Sequence, residues 1–208
     1  MESARADQRR ETGLRTRARL RDAALDLLAE RGEGGVTLRE ITDAAEANVA
    51  AVSYHFGSLQ SLCDAAVEDA LGRYLDAQQE AVSELGSEST LEEVAAAFAR
   101  PMISAMTVGG RDLAVMRIVA RAGIDPPAGW ARLSPRFDQV RREVLTSLKA
   151  NLPDVSDREL LFRTRCAAGL LNWLALAPVG DELRGKTRKQ VERWLVPVLA
   201  GTFYASSS

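Results

Sequence analysis

Apolar residues recur at intervals of three and four positions along most of the chain, and no stretch alternates between apolar and polar residues as a strand would. The first apolar stripe contains Leu20, Ala24, Leu27 and Leu28, and the glycine-rich segment that begins at Gly32 ends it. This pattern predicts an all-α protein of about nine helices. The predicted helices span residues 14–31, 37–44, 49–55, 58–85, 90–107, 111–122, 134–151, 156–177 and 187–205.

Four of the predicted helices begin with the pattern Ser/Thr-x-x-Glu/Gln, in which two side chains satisfy unpaired amides of the first turn. The four pairs are Thr37/Glu40, Thr90/Glu93, Ser156/Glu159 and Thr187/Gln190.

Prolines also bear on helix limits. Pro135 suits the first position of a helix, whereas Pro197 lies within the last predicted helix, which it should kink or divide.

The two short helices predicted at 37–44 and 49–55 are joined by a tight turn at Glu46 and Ala47. Asn48 is a suitable N-cap for the second of them. Two short helices joined by a turn are typical of a helix-turn-helix, whose second helix enters the major groove of DNA.

Positive charge is concentrated at the start of the chain, although the formal net charge is −2. Residues 1–21 hold seven arginines against Glu2, Asp7 and Glu11, an excess of four positive charges that leaves −6 for the remainder. A basic end of this kind can contact phosphates, and the alternative is a solvated helix face. Residues 1–13 are predicted to form a flexible basic arm.

The 208-residue chain is 46% hydrophobic and can bury a core, but no stretch approaches the roughly 20 apolar residues that span a bilayer. The opening residues lack the features of a secretory signal, so we expect a cytoplasmic protein without membrane contact. Cys63 and Cys166 have no cysteine or histidine at ligand spacing, which predicts no metal site and two small buried residues. A redox sensor at one of them is the alternative.

The segment TLREITDAAEANVAAVSYHFGS, residues 37–58, resembles the DNA-binding segment of the tetracycline-repressor (TetR) family. It is most similar to the branch whose recognition helix has small residues followed by Tyr-His-Phe and Gly-Ser. The resemblance implies a DNA-binding domain over residues 14–75, with its helix-turn-helix at 37–56, and a ligand-sensing and dimerisation domain over residues 76–208. It also implies a transcriptional repressor that binds a palindromic operator in double-stranded DNA as a homodimer and is released by a small-molecule effector. The long predicted helix is expected to be the sole link between the two domains.

The residue types of this segment suit contact with DNA. Ala50 and Ala51 are small where the second helix must enter a major groove about 12 Å wide. The resemblance assigns Thr37 and Tyr54 to phosphate contacts and the first turn of the recognition helix to the bases. Taken singly, these residues are also explained as caps or packing residues. The predicted DNA-binding residues are Thr37, Arg39, Asn48, Val49, Ala50, Ala51, Ser53, Tyr54 and His55.

Two positions depart from the family pattern. Glu46 occupies the turn position that the family usually fills with glycine. Because a left-handed conformation is costly for glutamate, we expect the turn to differ. Leu59 replaces the usual lysine at the start of the long helix, so that phosphate contact is expected to be absent or supplied elsewhere.

Large apolar residues from several predicted helices are candidates for an effector cavity, and the ordinary core is the alternative for each of them. Arg117, Arg121 and Asn172 are candidates for polar contacts with the effector. The predicted cavity residues are Met102, Met106, Met116, Arg117, Trp130, Phe137, Phe162, Asn172 and Trp173. This set favours an apolar or aromatic effector, which could also carry an acidic group, and no cofactor is expected.

By the same resemblance, the last two helices form the dimer interface. The run Ala167-Ala168-Gly169 permits close approach of a partner helix. The predicted interface residues are Leu160, Thr164, Ala167, Leu171, Leu174, Val191, Trp194, Leu195 and Val198. If they do not form a dimer interface, they belong to the core of the sensor domain.

A small helical enzyme and a helical adaptor that has lost DNA binding are the alternative functions. The enzyme is disfavoured because the chain has one histidine, no glycine-rich phosphate loop and no nucleophile and base in a motif context. Glu46 and Leu59 are the features that favour the adaptor.

Overall fold

The computed structural model describes residues 2–86, 88–127, 130–177, 183 and 185–204, and for residues 2–6, 9, 33 and 130 it describes the backbone alone. This part of the chain contains nine α-helices and a 3-10 turn, Glu33–Gly35, with no strand, which confirms the all-α prediction. The helices are α1 (Glu2–Arg31), α2 (Leu38–Ala44), α3 (Val49–Phe56), α4 (Leu59–Ser83), α5 (Leu91–Val108), α6 (Gly110–Ala122), α7 (Trp130–Asn151), α8 (Asp157–Leu176) and α9 (Arg188–Tyr204).

The predicted capping residues stand at the starts of their helices. At the start of α5 the Thr90 hydroxyl accepts from the Glu93 amide at 3.2 Å, and the Glu93 carboxylate accepts from the Thr90 amide at 2.7 Å. The Ser156 hydroxyl caps α8 by accepting from the Glu159 amide at 3.2 Å. These bonds pair amides that the first helical turn leaves free, and the helix limits therefore follow the sequence closely.

Two helices begin several residues earlier than predicted. The segment predicted as a flexible basic arm, residues 1–13, is helical from Glu2 onward, as the first part of α1. The earlier start of α7 places Pro135 inside the helix rather than at its first position. Proline has no amide to pair with the Ala131 carbonyl, and the Ser134 hydroxyl donates to that oxygen at 3.2 Å instead.

Pro101 lies inside α5 and is compensated by a side chain from α4. It leaves the Ala97 carbonyl without its helical partner, and the buried Gln78 amide donates to that oxygen with Nε2 at 3.3 Å. This bond ties α4 to α5 in the interior. Pro197 does not divide α9, which continues to Tyr204.

The first three helices and the first half of α4 pack around one apolar centre, and we call this part the head. Its central residues, each at most 1% exposed, are Leu20, Leu28, Ile41, Val52 and Leu62. The remaining helices and the second half of α4 form the body. Its most deeply buried residues include Met102, Ile103, Leu148, Leu160 and Phe203.

The head and body meet along α6 as well as through α4. Arg111 at the start of α6 pairs with Asp22 of α1, Nη1 to Oδ2 2.5 Å. Arg121 at its end lies against the Ala29 carbonyl in the last turn of α1, Nη2 to O 3.4 Å. The expectation that the long helix is the sole link between the two parts is therefore wrong.

The two cysteines differ in environment. Cys63 is buried, as predicted, whereas Cys166 is exposed on α8, which corrects the expectation that both are buried. Among the described residues no group of histidine, cysteine or carboxylate side chains is arranged to hold a metal ion. None of the described helices is long and apolar enough to cross a membrane.

Candidate functional site

One face of α3 is exposed to solvent. Asn48 caps the helix, and its Oδ1 accepts from the amide three residues further on at 2.8 Å. Val49, Ala50, Ser53 and Tyr54 follow on the exposed side, and Tyr54 is 85% exposed. Their spacing of one, four and five positions places them on one face of the helix. Five of the predicted DNA-binding residues therefore form a continuous exposed surface, which we call the α3 face.

The opposite side of α3 packs into the head. Val52 is buried, while Ala51 and His55 are partly buried. The His55 ring lies edge-on to the Tyr54 ring, with 4.8 Å between their centroids. Gly13 of α1 approaches the same imidazole so closely that a Cβ there would lie 3.7 Å from His55 Cε1. Ala51 and His55 thus lie beside the α3 face and support it.

The hydrogen-bonding groups of Thr37, the N-cap of α2, are engaged within the protein. Its hydroxyl accepts from the Glu40 amide at 3.3 Å and donates to the Glu40 carboxylate at 2.7 Å, and that carboxylate also accepts from the Thr37 amide at 2.9 Å. Arg31 donates to the same carboxylate, Nη1 to Oε1 2.5 Å. The Thr37 hydroxyl above all, and then Arg31, lower the pKa of Glu40 to about 2. A phosphate at Thr37 would therefore share its hydroxyl with a charged carboxylate.

The turn between α2 and α3 contains Glu46 in a left-handed conformation, with φ +48°. The Glu46 amide donates to the Asp43 carbonyl at 3.2 Å, and the Ala47 amide donates to the Thr42 carbonyl at 2.9 Å. The expectation that glutamate would change this turn is wrong. Glutamate adopts the conformation that glycine would take, at a cost of about 1–2 kcal/mol, because the surrounding hydrogen bonds fix the backbone.

Exposed arginines lie on α1 and α2, the two helices that precede α3. Arg39 of α2 is 90% exposed, with its Nε 3.8 Å from the Asp43 carboxylate. Arg17 of α1 lies over the Phe56 ring, with 5.4 Å between guanidinium carbon and centroid. Further exposed arginines on α1 are Arg10, Arg15 and Arg19. Arg17 therefore places a positive side chain at the end of α3.

At the start of α4 an apolar residue stands where the family has lysine. The Ser58 hydroxyl caps the helix by accepting from the Ser61 amide at 3.0 Å. Leu59 is half-buried and packs against the apolar core, whereas the neighbouring Gln60 is exposed. Leu59 is thus a packing residue in this structure.

A small cavity of about 20 Å³ lies between α4, α5, α6 and α8. Three of the predicted cavity residues, Met102, Met116 and Asn172, line it together with Tyr74 and Phe98. Burial raises the pKa of Tyr74 to about 12, so its phenol is neutral at physiological pH. The sequence did not single out Tyr74 or Phe98 because both lie on apolar stripes that the helical period assigns to a core.

The other predicted cavity residues lie outside this lining. Phe137 stacks on Tyr74, with 6.1 Å between ring centroids. Met106 is half-buried elsewhere in the body. Arg117 Nε lies 3.4 Å from the carbonyl oxygen of Ala175, to which it donates. The side chain of Trp130 lies outside the described residues. Phe162 and Trp173 are 66% and 64% exposed on α8 and do not line this cavity.

Most of the predicted dimer residues belong to the core of the single chain. Residues at most 8% exposed are Leu160, Thr164, Ala167, Leu171, Val191 and Leu195. Their assignment to an interface is corrected, because a second copy cannot reach them. Leu174 is half-buried, while Trp194 and Val198 are 43% and 55% exposed.

Two stripes of exposed apolar and small residues run along α8 and α9, with exposed arginines beside them. The stripe on α8 consists of Phe162, Cys166, Gly169 and Trp173. The stripe on α9 consists of Trp194, Pro197, Val198, Gly201 and Tyr204. We call the two together the α8/α9 face. Grouped exposed apolar residues are typical of contact surfaces. The large members of the face include Phe162 and Trp173, which the sequence assigned to a cavity.

Two family models match the chain. The model described as bacterial regulatory proteins, tetR family, matches residues 20–66. The model described as tetracyclin repressor-like, C-terminal domain, matches residues 96–201, half of the chain. Comparison with curated protein sequences gives no match.

Several solved structures share the fold. PfmR, a TetR-family transcriptional regulator from Thermus thermophilus, is 16% identical, with a TM-score of 0.61 over 91% of this chain and 96% of that one. A TetR-family regulator from Rhodococcus sp. is 13% identical, with a TM-score of 0.62 over 90% and 98% of the two chains. Another from Mesorhizobium loti is 18% identical, with a TM-score of 0.53 over 93% and 96%. At these identities the likeness concerns the fold.

Proposed function

The chain belongs to the TetR family of DNA-binding transcriptional regulators, and we propose that it is a repressor that binds a palindromic operator as a homodimer and is released by a small-molecule effector. The observation that carries this proposal is the α3 face, an exposed surface on the second helix of a helix-turn-helix. Members of this family act by binding DNA and not by catalysis. The proposed place of action is the bacterial cytoplasm, where the chromosome lies.

The exposed residues of α3 are proposed to divide between bases and phosphates. Val49, Ala50 and Ser53 belong to the first turns of the helix and are small enough to let its axis approach the base edges in the major groove. Tyr54 and Arg39 have exposed hydrogen-bond donors that suit the phosphate oxygens of the DNA backbone. Short side chains thus contact the bases, while the longer ones bind phosphates and fix the position of the protein on the DNA.

We also propose that the chain falls in the branch of the family whose recognition helix ends in Tyr-His-Phe-Gly-Ser. Each residue of this run has its own surroundings in the structure. Tyr54 is exposed, His55 lies against Gly13, and Phe56 lies under Arg17. The last two contacts hold α3 against α1, which supports a structural role for that part of the motif.

The α8/α9 face is proposed as the dimer interface, occupied by a second copy of this chain. The residues that make up the face are apolar or small, as at the centre of a homodimer interface, and Lys186 lies at its edge, with 5.3 Å between its Nζ and the Trp194 ring centroid. A Cβ built at Gly169 or at Gly201 meets no atom within 4 Å, which leaves room for a helix of the partner. A two-fold arrangement suits an inverted repeat, because two recognition helices about 34 Å apart meet successive major grooves.

The cavity between α4, α5, α6 and α8 is proposed as the effector site. Phe98, Met102 and Met116 line it with apolar groups, and Tyr74 and Asn172 supply hydrogen-bonding groups. Methionine side chains adapt readily, which would let the small cavity open around an apolar or aromatic ligand. If effector binding lowers the affinity for DNA, DNA must lower the affinity for effector by the same factor.

Selection of DNA from a random pool, followed by sequencing, tests the proposed function. The wild-type protein is expected to enrich an inverted repeat. Ala50→Asp, which places a carboxylate on the α3 face, is expected to reduce affinity for that repeat at least about tenfold, since it repels the bases and phosphates it must approach. Ala150→Asp is the matched control, because Ala150 is an exposed alanine at the end of α7.

The outcomes separate the alternatives. Failure to enrich any sequence would favour a helical adaptor and overturn the proposal. A motif without two-fold symmetry would keep DNA recognition but overturn the palindromic operator. An equal loss of affinity for the inverted repeat in Ala50→Asp and Ala150→Asp would overturn the role of the α3 face.

A further inference from the structure

A cleft of about 550 Å³ lies where the head meets the body, apart from the interior cavity. Buried apolar residues of three helices form its floor: Leu28 of α1, Val67 of α4 and Ile118 of α6. The connection after α6 contributes to its rim, where Ile124 is 73% exposed. This volume is in the range of pockets that bury most of a drug-sized ligand.

Arg121 of α6 is the cationic group of the cleft. Its Nη2 lies 3.4 Å from the Ala29 carbonyl and 3.5 Å from the Glu30 carbonyl. Both distances are long for N–H···O bonds. Its buried Nε has no hydrogen-bond partner among the described residues. The guanidinium therefore has donor capacity that the protein leaves unused, and a buried donor without a partner is costly.

We infer that this cleft binds an amphiphilic carboxylate, with its apolar part on Leu28, Val67 and Ile118 and its carboxylate on Arg121. A carboxylate can accept two parallel N–H bonds from a guanidinium, and these charge-assisted bonds are stronger than the present ones to carbonyl oxygens. Asp125 lies at the mouth of the cleft and is exposed, so solvent and salt screen its repulsion. The site is additional to the proposed effector cavity and its occupation does not require DNA binding.

Engagement of Arg121 by a ligand competes with its contact to the end of α1. Gly32, where α1 ends, lies under the same guanidinium, since a Cβ there would be 3.6 Å from Arg121 Nη1. A carboxylate that draws the guanidinium into the cleft removes one of the contacts by which α6 holds α1. The cleft is thus placed to alter how the head sits on the body.

Methyl NMR with sodium decanoate as the probe tests where a carboxylate binds. The four isoleucines of the chain are Ile41, Ile103, Ile118 and Ile124. Ile118 and Ile124 line the cleft, and Met102 and Met116 line the interior cavity. With isoleucine and methionine methyl groups labelled, we expect decanoate to shift Ile118 and Ile124 saturably and the methionines less. Shifts at the methionines alone, or no saturable shift at millimolar decanoate, would overturn the inference.

Calorimetric titration of variants tests the role of Arg121. Arg121→Met is expected to weaken decanoate binding about tenfold or more, because it removes the charge-assisted bonds, and to leave 1-decanol binding unchanged. Arg111→Met is the matched control, because it removes the ion pair of α6 with Asp22 of α1 and Arg111 does not line the cleft. Arg121→Lys, expected to bind with intermediate affinity, replaces the methionine variant if that variant is unstable. The assignment of Arg121 as the carboxylate-binding group would be refuted if wild type and the Arg121 variant bound decanoate equally well. It would also be refuted if the Arg121 variant and Arg111→Met lost decanoate affinity equally. None of these measurements uses DNA, so their failure leaves the proposed repressor function standing.

Discussion

At the scale of single residues, Glu46 holds the turn of the helix-turn-helix in a left-handed conformation, with φ +48°. Glycine would adopt it without strain, although it loses more conformational entropy on folding. We expect Glu46→Gly to raise the free energy of unfolding by about 0.5–1 kcal/mol, measured by urea denaturation. Ala44→Gly, in the last helical position of α2, is the control and should lower it by a similar amount. A destabilised Glu46→Gly protein would show that the glutamate side chain contributes more than its strain costs.

Glu40 makes stability depend on pH, because hydrogen bonds from Thr37 and Arg31 lower the pKa of its carboxyl to about 2. A carboxyl with a lowered pKa in the folded state stabilises it above its ordinary pKa, here 4.5, and loses that contribution as pH falls towards 2. Glu40→Gln retains the shape of the cap without the charge. We expect wild type to melt at a higher temperature than Glu40→Gln near pH 7, and the gap to close between pH 4.5 and 2. Glu88→Gln controls for loss of an exposed carboxylate, and a gap that persists at pH 2 would contradict the charge argument.

Leu59 and Gln60 form a matched pair at the start of α4, one half-buried and the other exposed. Leu59→Lys should lower the free energy of unfolding by about 1 kcal/mol, because it removes apolar contacts from the core. It should also leave the salt dependence of DNA binding unchanged. Gln60→Lys adds the same charge without that loss and should leave the melting temperature unchanged. A steeper salt dependence at an unchanged melting temperature in Leu59→Lys would mean that position 59 faces the phosphate backbone.

At the scale of helices, capping residues made the helix limits predictable. The periodicity of apolar residues, in contrast, did not decide which face of a helix is buried. Thr90 and Ser156 stand where the predicted caps of α5 and α8 lie. Helix α8, in contrast, is apolar on two faces. The stripe through Leu160 and Leu171 is buried, and the stripe through Phe162 and Trp173 is exposed. When apolar residues recur at the helical period on both sides of a helix, the pattern does not show which side is buried. Only the tertiary packing then separates core residues from interface residues.

The α8/α9 face leads to a prediction about assembly. The wild-type protein should sediment as a dimer of 22.6-kDa chains, with an interface above roughly 1,000 Å². Trp173→Asp should shift it towards monomer at micromolar concentration, because a buried unpaired charge opposes association. Val108→Asp is the control, since Val108 is 70% exposed at the end of α5, outside this face. Dissociation by both variants, or by neither, would contradict the assignment of the face.

At the scale of the whole molecule, two connections set the position of the head on the body. One is α4, which passes through both parts, and the sequence indicated it. The other is the packing of α6 on α1, which includes the Arg111–Asp22 pair and a contact between Arg121 and the Ala29 carbonyl, 92 positions away. Contacts between residues so distant leave no periodic signal, and for this reason the second connection was not predictable from the pattern of the chain.

This second connection should determine how strictly a dimer measures the spacing of its operator. The two recognition helices of a dimer must meet major grooves that lie a fixed distance apart. Motion of the head relative to the body therefore widens the range of half-site spacings to which the dimer binds. Arg111→Gln removes the pair with Asp22, whose side chain is 25% exposed. We expect it to reduce the preference for the native operator over one lengthened by a base pair, by up to about fivefold, since a partly exposed pair contributes at most about 1 kcal/mol. Binding to a half-site duplex should not change, because one head measures no spacing. Arg136→Gln is the control, as it breaks an ion pair of similar length within the body, with Asp76, whose side chain is 75% exposed. Fluorescence anisotropy with the three duplexes measures these effects. An unchanged preference in Arg111→Gln would mean that the Arg111–Asp22 pair does not hold the heads at their distance.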